Sequence, residues 1–369
     1  MNNKNFQTFF DCSFSKIKAG TINKNKPNEA YYDESKFLTD YSSLDFEIQK
    51  IVASFEKITN EYIDNVNLMI DSPKMLSIGI SISKKLDGLK LKQANIQFLI
   101  QEAKQQVLKY YASYNIAHII INNYKIDKVD YLYFPDEIKC NFLSLDILFI
   151  CLPNELVLNF KEFFFKSNIS VNQIICSSYA KSINYKNRLN LNNHIIFIDI
   201  GFNKTSIISY FNDKIVSLDV LPVGGNNITK DISKVLKISE VKAENLKINF
   251  TKKENFLNGE SFSVELLEKI IFARVEEILE MCVESIKLKS ITSDQPKLIL
   301  MGGGSKALDK EYKDKISFAN DMDLLEETTD DICNSGFKLL MELNKQEVLI
   351  VPKKQTKYEF FEKLFLFFK

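Results

Sequence analysis

The chain has 369 residues, with 48 Lys and Arg balanced by 48 Asp and Glu and with 45% hydrophobic residues. That length suits two to four packed units rather than one core. A formal charge of zero argues against a nucleic-acid partner held by bulk basicity, and 29 Phe with 15 Tyr argue against disorder. The stretch Met1–Phe10 lacks the apolar run of a secretory signal. No run of about 18 apolar residues offers a spanning helix. Six scattered cysteines without a Cys-x-x-Cys pair suit reduced, mostly buried thiols in a cytosolic protein.

In chain order the apolar spacing predicts an α/β alternation. A short strand at Asn5–Phe10 ends at Asp11. A helix spans Leu44–Tyr62, and strands follow at Val66–Ile70 and, half-exposed, at Met75–Ser83. A helix at Ile96–Tyr111 precedes strands at Ile116–Asn122, Tyr131–Phe134 and Leu143–Leu152. Glu155–Lys166 reads as a helix and Val171–Cys176 as a strand. A second half begins near Asn192, with a fully apolar strand at Ile195–Ile200. Strands Thr205–Phe211 and Ile215–Val223 turn at Asn212-Asp213. Helices are predicted at Asn227–Leu236, Val241–Ile248, Val264–Leu288 and Thr329–Leu343, with strands at Lys297–Met301 and Gln346–Val351.

Two segments share a plan. Phe10–Ile17 and Ile198–Ile207 each run strand, Asp, small-residue turn, return strand, which predicts two like subdomains facing a cleft. Three glycine sites stand out in a chain with only 11 Gly. At Asp199-Ile200-Gly201-Phe202-Asn203-Lys204-Thr205 a buried strand delivers a carboxylate to a turn whose N–H groups, with Lys204 and Thr205, suit phosphate oxygens. An ordinary Asp/Asn/Gly hairpin is the plainer alternative. Gly224 and Gly225 precede a helix start, an anion-favouring place, unless Asn226 or Asn227 simply caps the helix. Gly302-Gly303-Gly304 after a buried strand lets a flat group such as a nucleobase approach the backbone. No metalloprotease, nucleophile-elbow or Walker motif occurs, and His118 and His194 read as core or edge histidines rather than ligands.

Taken in order, these sites resemble the nucleotide grammar of the actin/Hsp70/sugar-kinase ATPase superfamily. Within it the sequence is most similar to the FtsA family of bacterial division proteins. Leu221–Asp231 followed by Val241–Lys247 is similar to that family's Pro–Gly–Gly, Ile-Thr and Ala-Glu-x-hydrophobic-Lys series, and Arg274 matches an Arg-x-x-Glu stretch on its long helix. The resemblance implies an actin-like ATPase fold, two like halves around a nucleotide cleft, with an inserted small α+β subdomain. Its implied division is residues 1–74 and 152–190 for the first half, 75–151 for an inserted interaction subdomain, and 191–351 for the second half. A linker over 352–357 and an amphipathic helix over 358–369 complete it. By resemblance Asp11, Ser13, Ser15 and Lys16 form a first phosphate loop, and Asp199, Gly201, Asn203, Lys204 and Thr205 a second. Gly224 and Gly225 lie near the phosphates, Glu244 and Lys247 flank ribose and base, and Gly302, Gly303, Gly304 and Ser305 close over the adenosine. ATP with Mg2+ is the implied cofactor pair, with weak or absent turnover, because no general base stands out. Cys12 and Asn203 depart from the family's glycines.

The last residues are both apolar and basic. On a helical wheel Tyr358, Phe360, Phe361, Leu364, Phe365, Phe367 and Phe368 share one half, with Lys369, Lys363, Glu359 and Glu362 opposite. Lys353–Lys369 holds five Lys and two Glu, hence +3 on a body of −3. Twelve residues make about 18 Å of helix, too short to span but suited to lie in an anionic membrane surface. A helix docked on the core is the alternative. The FtsA resemblance implies a peripheral protein on the inner face of the cytoplasmic membrane at the division site. It also implies self-assembly into filaments, capture of the FtsZ C-terminal tail near Arg274, and recruitment of later division proteins. A PilM-like pilus or secretion scaffold and a true small-molecule kinase or ATPase remain the rival readings.

Overall fold

The computed structural model describes residues 4–13, 15–35, 44–131, 133–135, 138–191, 194–251, 263–289, 296–307 and 322–341. The candidate last strand over Gln346–Val351, the linker, and the membrane-facing residues Tyr358–Lys369 lie outside them.

The first half opens with the antiparallel strands β1 (Phe6–Cys12), β2 (Ile17–Asn23) and β3 (Ala30–Glu34). Helix α1 (Leu44–Thr59) buries Leu44, Ile48, Ile51, Val52 and Phe55, the stripe that its spacing predicts. Strand β4 (Asn65–Ile70) then pairs parallel with β1. From here the chain leaves to build a separate antiparallel sheet with β5 (Leu76–Lys90), helix α2 (Gln93–Tyr110), β6 (Tyr114–Ile126), β7 (Val129–Tyr131) and β8 (Lys139–Pro153), in the order β5-β8-β6-β7. It returns through α3 (Asn154–Lys166), β9 (Ser170–Cys176) and α4 (Ser177–Arg188). Strand β9 pairs parallel with β4, closing the first sheet as β3-β2-β1-β4-β9.

The period of two explains why β8 reads as an unbroken apolar run. Leu143, Leu145, Ile147, Phe149 and Cys151 point to α2, while Leu148, Ile150 and Leu152 point into the core of the first half. The inserted sheet is thus buried on both faces there. A register shift beside Ile116 in β6 leads into His118, whose Nε2 accepts the backbone N–H of Cys176 at 2.8 Å and whose ring stands edge-on to Tyr179. The sequence reading of His118 as a core histidine fits this place.

The second half repeats the plan. Strands β10 (His194–Ile200), β11 (Thr205–Phe211) and β12 (Lys214–Leu221) form an antiparallel meander. Helices α5 (Gly225–Leu236), α6 (Glu240–Thr251) and α7 (Val264–Lys289) follow. Strand β13 (Lys297–Met301) pairs parallel with β10, a 3-10 turn covers Gly303–Ala307, and β14 (Met322–Leu324) completes the order β12-β11-β10-β13-β14. Asn212 and Asp213 both have left-handed φ, 48° and 65°, the pair that a tight two-residue hairpin turn requires. Helix α8 (Thr329–Met341) crosses back to pack on β1 and β2 of the first half. It comes so close that a Cβ on Gly336 would meet Met69 Sδ at 2.6 Å.

The structure adds three elements that the apolar pattern does not signal, β3, α4 and β14, and it lengthens β5, β6 and β8 beyond their expected bounds. The strand expected at Tyr131–Phe134 lies at Val129–Tyr131, because Asp127 and Lys128 take left-handed φ and turn the chain earlier. Helix α4 escapes the pattern because it is buried on all sides: Ser177 to Tyr185 are buried without interruption, polar residues included.

Two outcomes follow from this packing. Replacing His118 with Phe strands the buried Cys176 N–H, and equilibrium denaturation should register a loss of about 1–3 kcal/mol. All six cysteines are buried, and burial pushes the thiols of Cys151 and Cys282 up to about 12. A thiol reagent at neutral pH should therefore label the native chain slowly and all six thiols promptly in denaturant.

Candidate functional site

The hairpin loops β1–β2 and β10–β11 have the same length and closure. Ser13 N donates to Lys16 O at 3.1 Å, and Gly201 N donates to Lys204 O at 2.8 Å. Asp11 and Asp199 then sit at the same register, one pair before each loop, opposite Lys18 and Ser206. The duplication read from the sequence is therefore a structural equivalence, and it makes Ser13 the counterpart of Gly201 and Lys16 the counterpart of Lys204.

The two lysines diverge. Lys16 turns outward and pairs with Glu34 on β3. Lys204 is 7% exposed and turns inward. Its Nζ lies 3.0 Å from Asp71 Oδ2 at the end of β4 and 3.8 Å from Asp199 Oδ2, and donates to Ser206 Oγ. A second buried cation, Lys181 on α4, donates to Asp199 Oδ1 at 3.0 Å and to Glu327 Oε2 at 3.2 Å, just before α8. Glu327 also accepts the Gly302 N–H at 2.8 Å and the Tyr185 hydroxyl at 3.1 Å. On the first-half side, Asp71 accepts the Ser178 N–H, and Asp11 accepts the Ser177 hydroxyl at 2.6 Å. One chain of charges thus runs from β4 through the second loop and α4 to α8.

Burial pushes the Asp199 carboxyl up, but Lys181 and Lys204 overcome this and hold it below its ordinary value. Burial lowers Lys181, yet Asp199 and Glu327 raise it well above the usual lysine value. Asp11 behaves differently: desolvation raises it, and Lys18, Ser177 and Lys181 only partly oppose that. Lys181, Asp71 and Glu327 were not singled out from the sequence. The polar run Ser177-Ser178-Tyr179-Ala180-Lys181-Ser182 carries no motif, and only the fold brings these groups together.

The other predicted residues divide into groups. Ser13 Oγ takes the N–H groups of Ser15 and Lys16, at 3.4 and 3.1 Å, and donates to Lys16 O, so a serine side chain organises the loop that lacks the family's glycine. The N–H groups of Gly225 and Asn226 at the start of α5 donate to Gly201 O and Phe202 O at 2.9 and 2.7 Å. Asn227 Oδ1 accepts the Gly224 N–H, while Asn203 Oδ1 accepts from Asn226. The glycines are required by backbone packing. A Cβ on Gly224 would lie 2.6 Å from Gly201 O, one on Gly302 would lie 2.5 Å from Ile200 O, and one on Gly304 would lie 2.5 Å from Ile200 Cγ2. Gly303 alone of that triplet faces open space. Thr205 Oγ1 donates to Val223 O, and Ser305 Oγ to Gly302 O. Lys247 is saturated by Gly225 O, Thr229 Oγ1 and Glu244 Oε2 at 2.9, 2.7 and 2.6 Å, which adds Thr229 to the predicted Glu244–Lys247 pair. Arg274 stands apart: it bonds Asp231 at 2.5 Å and Glu277 at 2.7 Å, joining α7 to α5.

Comparison with known proteins finds the same likeness as the sequence motifs. The family model described as Cell division protein FtsA matches residues 196–297. Cell division protein FtsA of Buchnera aphidicola subsp. Acyrthosiphon pisum is 24% identical over 342 residues, 84% of this chain and 80% of that protein. The FtsA of Streptococcus pneumoniae is 29% identical over 167 residues, which are 42% of this chain and 36% of the relative's own length. The chain is similar to FtsA proteins over most of its length. Its fold is also that of a solved PilM-PilN type IV pilus biogenesis complex, with a TM-score of 0.61 at 12% identity, covering 88% of this chain and 89% of that one. An actin-like ATPase fold, two like halves with an insertion in the first, is therefore the architecture of this chain.

The family's implied groups can be set against this donor set. A nucleotide fits the place: Ser13, Ser15 and Lys16 of one loop and Gly201–Asn203 of the other are half-exposed and lie at the same end of two equivalent hairpins. A divalent cation fits poorly. Asp71 and Asp199 are already neutralised by ammonium groups, Asp11 accepts from Ser177, and among the described residues no three carboxylate, thiol or imidazole groups converge.

Removing one cation tests the charge chain. Lys181→Met leaves Asp199 and Glu327 buried without it and should cost about 3–5 kcal/mol at neutral pH. Because the folded Asp199 carboxyl lies below 3.8, its stabilisation is present above that value and is lost as the pH falls through the folded one. The deficit of Lys181→Met should therefore shrink on acidification, read from urea unfolding at a series of pH values.

Proposed function

We propose that the chain is an actin-like division protein that binds ATP between its two halves and turns it over slowly or not at all. The observation that carries the nucleotide reading is the pair of equal hairpin loops, each preceded by an aspartate at the same register and flanked by a phosphate-compatible, half-exposed turn. Among the described groups the carboxylates near these loops are bound to Lys181, Lys204 or Ser177, and none stands ready as a base toward a phosphate. That supports a bound nucleotide acting as a conformational ligand rather than a substrate in rapid turnover.

The likeness to FtsA supports the rest of the reading. The chain would assemble into filaments on the inner face of the cytoplasmic membrane, hold the C-terminal tail of FtsZ, and recruit later division proteins. Residues 75–151 would serve as the interaction subdomain and residues 191–351 as the half that receives FtsZ. The aromatic and basic pattern of Tyr358–Lys369 supports an in-plane lipid anchor, and no described helix is long and apolar enough to cross a membrane. The PilM complex shares the fold but is matched at 12% identity, which carries fold alone.

Sedimentation with vesicles of anionic lipid tests the anchor. The full chain should pellet with them and a chain ending at Thr356 should stay in the supernatant; equal sedimentation would sink the tether. A peptide of the FtsZ tail should capture the chain, and Arg274→Glu should weaken capture about tenfold or more. Asp231→Asn loosens the same α5–α7 seam without adding an acid and should leave capture unchanged.

A further inference from the structure

The Lys204 ammonium occupies the centre of the carboxylate cluster. It arrives on the second hairpin loop, it is buried, and it reaches Asp71 of the first half and Asp199 of the second at once. Its counterpart Lys16 shows that the loop geometry does not force this, since the same position in the first loop points outward to Glu34. The inward rotamer is held by three acceptors, Asp71, Asp199 and the Ser206 hydroxyl. Lys181 places a second ammonium on the other side of Asp199, shared with Glu327.

A divalent cation placed among Asp11, Asp71 and Asp199 would have to displace that ammonium, or sit against it and against Lys181. Either course opposes metal binding by charge repulsion in a buried setting. The chain nevertheless keeps two turns suited to phosphate, and a fixed cation at the inner end of one of them. We propose that the Lys204 ammonium stands in for the divalent cation in this cleft, so that nucleoside triphosphate binds independently of Mg2+. The inference rests on the nucleotide reading above and deepens it. A lysine in the loop supplies one positive charge permanently attached to the hairpin, and it links the halves through Asp71 with or without metal in solution.

The test measures ATP affinity by calorimetry on the full chain, once with EDTA and once with millimolar Mg2+. The expected result is a dissociation constant that differs by less than about threefold between the two. In Lys204→Thr the freed carboxylates can accept metal, and Mg2+ should tighten ATP by about tenfold or more. Tightening of the unmodified chain by Mg2+ beyond about threefold overturns the inference while leaving the nucleotide reading intact. Binding in neither buffer overturns the nucleotide reading and the inference with it. A folded Lys204→Thr chain that stays indifferent to Mg2+ also overturns the inference. Should that variant fail to fold, Lys204→Thr combined with Asp71→Asn removes the ammonium together with the nearest carboxylate and leaves Asp199 paired with Lys181. It should then bind ATP more weakly than the parent chain in EDTA, and unchanged affinity there overturns Lys204 as the charge that stands in for the metal.

Discussion

Everything between the halves depends on keeping two buried ammonium groups paired. Lys181 and Lys204 have little access to water, and so do Asp199 and Glu327. Each charge is tolerable only because its partner is within about 4 Å and because neutral donors fill the remaining lone pairs. Gly302 N–H and Tyr185 hydroxyl do this for Glu327, and Ser178 does it for Asp71. The members come from β4, α4, β10, the second hairpin loop and the approach to α8. The charge chain therefore ties together β4, the α4-to-β10 hairpin region and the approach to α8, from residue 71 to residue 327, with more directional precision than apolar contact alone.

That arrangement explains what could be read in advance and what could not. The two hairpins were legible because an Asp followed by a turn and a return strand leaves a local pattern, and the pattern repeats at Asp11 and Asp199. The inserted sheet was legible because β6 and β8 carry long apolar runs. Lys181, Asp71 and Glu327 were not, since their significance lies in distance across the fold. Helix α4 was hidden for a related reason: a helix wedged between two sheets buries every side, so its sequence shows neither a stripe nor an apolar run. Lys204 was read as a phosphate donor on the loop, and its place is deeper, shared between two carboxylates.

The glycines carry a second lesson. Gly-Gly before α5 and Gly-Gly-Gly after β13 drew attention as places where a ligand reaches the backbone. In the fold the approaching group at Gly224, Gly302 and Gly304 is the chain itself, because the Ile200–Lys204 segment lies against all three. The same contact uses the first N–H groups of α5, which go to Gly201 O and Phe202 O. A glycine signature can thus answer in good part to close approach of the chain itself, as it does at Gly224, Gly302 and Gly304 but not at Gly303.

The insertion ties into this frame on both sides. His118 accepts the Cys176 N–H at the start of α4, directly before the residues that hold Asp11 and Asp71. A few residues along β6, Asn122 donates to Ile215 O and Asn123 accepts from Lys214, both on β12 of the second half. A rotation of one half against the other must therefore either break the Asn122–Ile215 contact or carry the inserted sheet along. Apolar contact backs both links: β5 also packs on β12, and Ile215 and Leu218 of β12 share the main core with Leu148, Ile150 and Leu152. The inserted sheet is thus built into both halves, by a hydrogen bond at α4 and by polar and apolar contact along β12.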